Sequence, residues 1–336
     1  MTRSGQRNVR LRLCLLVGLL VAAPASAQYT APGQWHRISE LLLGCNDTYL
    51  VVDSYIDSVR GLNGAAQVSI IVPTSAIANE LRYEFQAAGV NTAAVRYYTC
   101  PLDSIWMRDY SAIFTHNAAG QVYAVDAKYY PGRPNDDAFP YRFARFRGLG
   151  YTTLNLYYEG GNFMSDGRGR LFFSNDTYAE NSSASRTTVN TRMMSGCGGT
   201  SVTTPTPLLY EGTGHIDMYA KLLSATRVLV ANYPTGHRQK ARVDAAAALF
   251  TGLGITVSRA MMATSVDEYG TYANAVYANN VALVPKYSTA QDAPAMSIYT
   301  SAGYRAVGVD CRLIIGYGGA IHCISYGVPT VRTATR

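Results

Sequence analysis

The sequence predicts an α/β protein assembled from repeats of one unit: a β-hairpin, then a helix, then a further strand. Three observations lead there. Hairpin-like stretches recur at near-regular spacing, capped amphipathic helices lie between them, and a short apolar strand follows each helix.

The hairpins come first. "RDYSAIFTHNAAGQVYAVD" is a polar anchor, an apolar strand, a turn and a second strand. "EGGNFMSDGRGRLFFSND", "GHIDMYAKLLSATRVLVANY" and "YANAVYANNVALVPKY" share that grammar, and "GGAIHCISYGVP" reads as a fifth copy cut short. The anchors are Asp109, Asn162, Asp217, Asn274 and Cys323, spaced by 53, 55, 57 and 49 residues. The helices follow. "TSAIANELRYEFQAAG" has a Thr74/Ser75 start signal and a Gly89 stop, and "HRQKARVDAAAALFTGLG" ends at Gly252 in the same way. "AQDAPAMSIYTSAGY" is a weaker helix. The strands "NTAAVRYY", "GITVSRAMM" and "YRAVGVD" come after them. The stretch from Thr177 to Pro207, rich in Ser, Thr, Gly and Pro, reads as a long loop around a poor helix. If the units close into a ring, the five anchors meet at its centre. Otherwise they are hairpin-start residues of a layered α/β protein.

The first 27 residues are expected to leave the chain. "MTRSGQRNVRLRLCLLVGLLVAAPASA" has four arginines, an apolar run from Leu13 to Ala23, and the small residues Ala25 and Ala27 around a cleavage point. This is the pattern of a secretory signal peptide, and the run is too short to span a bilayer. The expected mature protein is residues 28–336, a single domain, secreted to a periplasm or medium without a stable membrane anchor. The whole chain carries 29 basic and 22 acidic residues. Without the four leader arginines, 25 basic residues remain and the net charge is +3. No basic cluster stands out, so nucleic acid is not an expected partner.

The mature cysteines are Cys45, Cys100, Cys197, Cys311 and Cys323. An odd count in an oxidising compartment leaves at least one thiol unpaired, and the other four allow two disulfides in three connectivities. Cys323 is therefore either half of a disulfide or a nucleophile.

Convergence of the anchors would gather Asp109, His215, Asp217 and Cys323, with Asn162 and Asn274 beside them. Such a set suits one chemistry. A guanidinium is a planar, forked cation that two carboxylates can hold by paired hydrogen bonds. Its central carbon needs a strong nucleophile, and a thiolate is the strongest side chain for that task. An imidazole can protonate departing ammonia and then activate water. The result is hydrolysis of a guanidine to a urea through a thiouronium. The two aspartates would push the thiol pKa up, so either an imidazolium at His215 or the substrate cation must stabilise the thiolate. With that assistance, Cys323 is expected to react with iodoacetamide well below pH 8.

Other readings of the same residues stand beside this one. His215 and Asp217 could form a metal half-site, Asp109 a structural ion pair with Arg108, and Trp106 core filler. A Cys-His-Asn protease would use His215, Asn274 and Cys323, although nothing near Cys323 looks like a protease nucleophile loop. A non-catalytic guanidine-binding propeller would differ by an unreactive Cys323.

"SIWMRDYSAIF", "EGGNFMSDGRGR", "GTGHIDMYAKL", "YANAVY" and "GGAIHC", in this order, resemble the Porphyromonas-type peptidylarginine deiminase and agmatine deiminase family over about residues 95–330. The resemblance implies a five-bladed pseudo-symmetric α/β propeller of ββαβ-type units, with no cofactor and no metal. It implies Cys323 as nucleophile, His215 as general acid/base, and Asp109 and Asp217 as the guanidinium grip. Trp106 would pack beside the substrate stem, with Asn162 and Asn274 as secondary contacts. Cys323 is then the unpaired thiol.

The branch depends on the substrate's other end. "YYPGRPNDDAFP" resembles a loop of the peptidylarginine branch in which two arginines face a carboxylate. Arg133 matches the second, Pro131 replaces the first, and Lys128 is a nearby alternative cation. Glu159, in "EGGN", matches the agmatine branch or supplies a third guanidinium contact. A secreted deiminase meets arginine in peptides and proteins, so deimination of these to citrulline is the favoured reading. Conversion of agmatine to N-carbamoylputrescine is the alternative.

Overall fold

A computed structural model describes residues 29–332; the expected signal peptide lies outside the described residues. The chain folds as a mixed α/β structure with five separate sheets. No strand pairing joins one sheet to another among the described residues.

Four of the hairpins expected from the repeat form. Ile113–Asn117 pairs antiparallel with Val122–Lys128, Met164–Ser165 with Arg170–Phe172, Ala220–Ser224 with Arg227–Asn232, and Val276–Ala278 with Val281–Lys286. In each sheet a further strand then adds in parallel: Gly150–Tyr157, Ser201–Thr203, Thr256–Met261 and Arg305–Asp310 respectively. A parallel neighbour needs a crossover, and a helix supplies it each time. These are Phe139–Arg147, Arg186–Cys197, Lys240–Gly252 and Asp292–Ser301.

The fifth unit corrects the reading of a truncated hairpin. Ser325–Pro329 pairs antiparallel with Ile38–Gly44, from the other end of the described chain. That sheet continues in parallel through Gln67–Val72 and Val95–Thr99, with helices Thr48–Leu62 and Ser75–Ala87 as crossovers. The stretch 177–207 also differs from expectation. Arg186–Cys197 is a three-turn helix, N-capped by the Ser185 hydroxyl and stopped by Gly198 at φ 68°. Its polar composition made the expected helix look poor; caps and buried Val189, Met193 and Cys197 hold it.

Packing follows from the same pattern. Leu41, Leu42, Leu43 and Val281 to Val284 are fully enclosed because helices cover these sheets. In Thr48–Leu62, the buried residues Val51, Tyr55, Val59 and Leu62 recur at helical spacing. Each such side chain contributes roughly 1.5–3 kcal/mol on burial. All five described cysteines are free thiols, so the expected disulfides do not form. Cys45, Cys197 and Cys311 are packed as small apolar groups, and burial pushes each thiol up to about 12.

The segments just before the first strand of each hairpin touch in sequence. Gly161 N–H donates to Asp109 Oδ1, and Ile216 N–H to Asn162 Oδ1. Asn274 Nδ2 lies 3.7 Å from Met218 Sδ, and Ala320 N–H donates to Asn274 Oδ1. Arg108 N–H donates to the Cys323 carbonyl, which closes the circuit. The five anchors therefore converge.

Candidate active site

Cys323 sits in the turn that leads into the last strand, almost fully buried at 3% exposure. Asn274 builds that turn. Its Oδ1 accepts from the backbone N–H groups of Ala320, His322 and Cys323 at 3.0, 3.1 and 3.2 Å. Its Nδ2 donates to Cys323 Sγ at 3.0 Å. Asn274 thus holds the Cys323 loop, which corrects its expected part as a substrate contact: both ends of its amide are already engaged. Gly319 is needed for closeness. A Cβ there would stand 2.8 Å from both Cys323 Sγ and the Trp106 ring.

Asp217 lies 3.8 Å from Cys323 Sγ through its Oδ2. The same oxygen meets His322 Nδ1 at 2.6 Å, while Oδ1 has no protein partner. Burial, with Arg108 and Lys221 nearby, lowers the His322 pKa well below its usual value. A neutral His322 then donates from Nδ1 to Asp217. His322 was missed as a site residue, although it stands beside Cys323 in the quoted "GGAIHC". Burial raises the Asp217 carboxyl as well, against the pull of His215 and Arg108.

His215 is 2% exposed and stands between two carboxylates. Its Nδ1 is 3.6 Å from Asp109 Oδ1, and its Nε2 is 3.3 Å from Glu159 Oε2. Burial opposes protonation, but Asp109, Glu159 and Asp217 outweigh it and raise the His215 pKa. Glu159 was expected to touch substrate. It lines the cavity, yet its carboxylate already faces His215 and accepts from the Tyr130 hydroxyl. Burial would raise Glu159, but these two partners hold it ionised, below its usual range.

Asn162 is corrected in the same way as Asn274. Its Oδ1 accepts from Ser174 and Ile216 N–H, and its Nδ2 donates to Thr177 Oγ1. It ties two anchor segments together and does not line the cavity. Arg108 forms no ion pair with Asp109. It donates from Nε to the His322 carbonyl and stacks on the Tyr326 ring at 3.9 Å.

One cavity of about 350 Å³ opens over these groups. Cys323, His215 and Asp109 line its reactive part, with half-buried Trp106 beside Cys323. Tyr129, Tyr130 and Arg133 line it too, with Glu211 and Tyr317. Arg133 donates to the Tyr129 hydroxyl at 2.9 Å and lies 5.5 Å over the Tyr130 ring. No carboxylate pairs with it among the described residues. Lys128 and Pro131 do not reach this cavity; they line a neighbouring one.

The Cys323 thiol is pushed up in the direction expected from the two aspartates. Burial, then Asp217 and Asp109, raise it well above its usual value, and only the Asn274 amide N–H opposes them among side chains. The arrangement can therefore take a planar cation beside a nucleophile that ionises when positive charge arrives.

Residues 46–329 match the profile of the Porphyromonas-type peptidyl-arginine deiminase family. The chain belongs to that family. Members of this deiminase family are hydrolases of guanidino C–N bonds, and this chain is one of them. Among curated proteins it is similar to the agmatine deiminase of Ectopseudomonas mendocina (strain ymp), with 23% identity over 94% of this chain and 99% of the relative. Among solved structures, the agmatine deiminase of Enterococcus faecalis superposes with a TM-score of 0.81 at 15% identity. That match covers 91% of this chain and 97% of the other. The agmatine deiminase of C. jejuni gives 0.79 at 18% identity, covering 90% and 97%. At these identities the structural likeness establishes the mixed α/β fold.

Proposed function

We propose that the protein is a secreted deiminase that converts arginine in peptides and proteins to citrulline and ammonia. The observation that carries the substrate choice is Arg133. It is a half-buried cation without a carboxylate partner, on the wall of the cavity that holds Cys323. A substrate carboxylate would pair with it, so a C-terminal arginine fits best.

In this reading the five sheets are blades of a propeller, with the anchors at its centre. The guanidinium lies between Asp109 and Asp217, and the free Asp217 Oδ1 takes one of its N–H groups. Its positive charge lowers the thiol pKa, and the Cys323 proton leaves to solvent. The thiolate attacks the central carbon, forming the C–S bond. His215, already protonated, gives its proton to the departing nitrogen as the C–N bond breaks and ammonia leaves. Neutral His215 then takes a proton from water as that water attacks the thiouronium. The C–S bond breaks as the remaining hydroxyl proton of the adduct passes to solvent, and a ureido group and the thiolate result. Asp109 and Glu159 hold the imidazole from both sides throughout.

Agmatine is the second reading. The curated relative named above is an agmatine deiminase, and Glu159 and Glu211 add acids to the cavity that an amine would favour. Secretion follows from the leader, with cleavage near Ala27.

The test is citrulline or carbamoyl release by residues 28–336, with Cys323→Ser as control. Substrates are agmatine, free arginine, an internal-arginine peptide and a C-terminal-arginine peptide. Turnover of the C-terminal peptide, lost in the variant, is the expected result. Turnover of agmatine alone would transfer the protein to the other branch.

A further inference from the structure

Arg108 takes no direct part in the proposed chemistry, yet it is a buried cation. The residue is 3% exposed and pairs with no carboxylate among the described residues. It does not line the cavity that holds Cys323; it borders a separate one with Gln34, Phe114 and Tyr326. Its contacts run into the Cys323 turn. The backbone N–H donates to the Cys323 carbonyl at 2.9 Å, and Nε donates to the His322 carbonyl at 3.3 Å. The guanidinium stacks on the Tyr326 ring at 3.9 Å. His322 in turn meets Asp217 Oδ2 through Nδ1 at 2.6 Å. One residue therefore links the two: the His322 carbonyl takes Arg108, and its ring takes Asp217.

We propose that Arg108 is a positioning residue of this site: its permanent buried charge balances Asp217 across His322 and pairs with neither carboxylate oxygen. A direct ion pair would occupy the oxygens that the proposed reaction turns to the guanidinium. A cation one residue further off still favours the ionised carboxylate, because charges interact strongly in a buried site. Asp217 needs that support. Burial raises its carboxyl to about 6; His215, Arg108 and Lys221 oppose the rise, and Glu211 adds to it. His322 faces it as a neutral donor, Cys323 Sγ lies 3.8 Å away, and Asp109 adds a further negative charge.

Of these cations, only Arg108 has a charge that the site cannot remove. His215 gives up its proton in the proposed reaction. Lys221 is buried beside Gln34 Oε1 and 5.0 Å over the Tyr277 ring, and burial, then Arg108, lowers its pKa well below its usual value. Burial lowers Arg108 too, but Tyr326, Asp217, Asp109 and Cys323 oppose it, and a guanidinium keeps its proton in a folded protein. The consequence for turnover rests on the deiminase reading; the ionisation of Asp217 does not.

The test compares Arg108→Gln and Arg108→Met with wild-type protein, residues 28–336. Gln keeps an N–H donor for the His322 carbonyl, and Met keeps only bulk against Tyr326. Both lose the charge. Carbon-13 NMR of protein labelled at the aspartate carboxyls follows Asp217, with Asp217→Asn assigning its signal. Wild-type Asp217 should be ionised at pH 7. In both variants its midpoint should rise by about one pH unit or more. A protonated Asp217 cannot hold the guanidinium, so the acid limb of kcat/KM should move up by the same amount. Activity below that limb then falls about tenfold and recovers at higher pH. Circular dichroism checks the fold; where one variant does not fold, the other and the wild-type midpoint decide. A wild-type Asp217 still protonated at pH 7, an unchanged midpoint in the variants, or a rise in Arg108→Met alone would overturn the proposal. So would an equal loss of activity at every pH. A raised midpoint with no turnover of any guanidine by wild-type protein would keep Arg108 as the counter-charge of Asp217 and reject the deiminase reading instead.

Discussion

His322 Nδ1 lies 2.6 Å from Asp217 Oδ2, and both residues are fully buried. The pair leaves Asp217 Oδ1 buried without a protein partner. His322 thereby orients the carboxylate that the proposed reaction places against the guanidinium.

Replacing His322 by Ala should lower kcat/KM for the guanidine by roughly 10- to 100-fold, the size expected when one hydrogen bond to a charged group is lost. His322→Gln, which can still donate, should recover part of it. Steady-state kinetics on both variants decides this. Equal loss in both would point to packing alone.

The nucleophile loop depends on Asn274. Asn274→Ala strands the buried backbone N–H groups of Ala320 and Cys323, each costing about 1–3 kcal/mol when unsatisfied, while His322 N–H keeps the Asn274 carbonyl. A fall in Tm of several degrees is expected. Asn274→Asp keeps the acceptor, removes the donor to Cys323 Sγ and adds negative charge, so the thiol pKa should climb further. Mass-spectrometric alkylation rates in the two variants separate the two effects.

Cys323 in the substrate-free protein should be unreactive toward iodoacetamide at pH 7, because burial and the two aspartates hold it protonated. Its rate should rise only as the pH passes above that of an ordinary thiol. Fast labelling at pH 7 would show that His215 compensates more than the surrounding carboxylates oppose.

Arg133→Gln should raise KM for a C-terminal-arginine peptide by roughly 10-fold or more, the loss expected for a charged hydrogen-bonded pair. KM for agmatine should stay the same or fall, since the variant removes a repelling cation. A KM change of equal size for both substrates would remove Arg133 from carboxylate recognition.

Asp126 gives a pH-dependent stability test away from the site. Burial raises its carboxyl to about 6, partly opposed by the Tyr151 hydroxyl, and its Oδ1 has no partner. A raised folded pKa means its stability contribution is complete below the unfolded value of about 3.9 and is lost as pH rises through about 6. Asp126→Asn should therefore stabilise the protein by about 1–2 kcal/mol at pH 8, after discounting for partial exposure. The gain should vanish near pH 4. Thermal melts at the two pH values read it directly.

Local patterns, read from the sequence by itself, determined the repeat unit, four of the hairpins and the caps of Ser75–Ala87. They also marked Asp109, His215, Asp217 and Cys323 as a group that would form if the units closed into a ring, and left open whether they do. Short-range periodicity and capping decide such features. Only the tertiary structure decided the rest. The fifth sheet needed Ile38–Gly44 to meet Ser325–Pro329, a pairing across nearly the whole chain that no local pattern encodes. The duties of Asn162 and Asn274 turned on which backbone donors surround them, since an amide can bind a ligand or its own scaffold equally well. The Cys323 pKa was settled by burial and by carboxylates from segments more than a hundred residues away, since electrostatic environment belongs to the assembled fold.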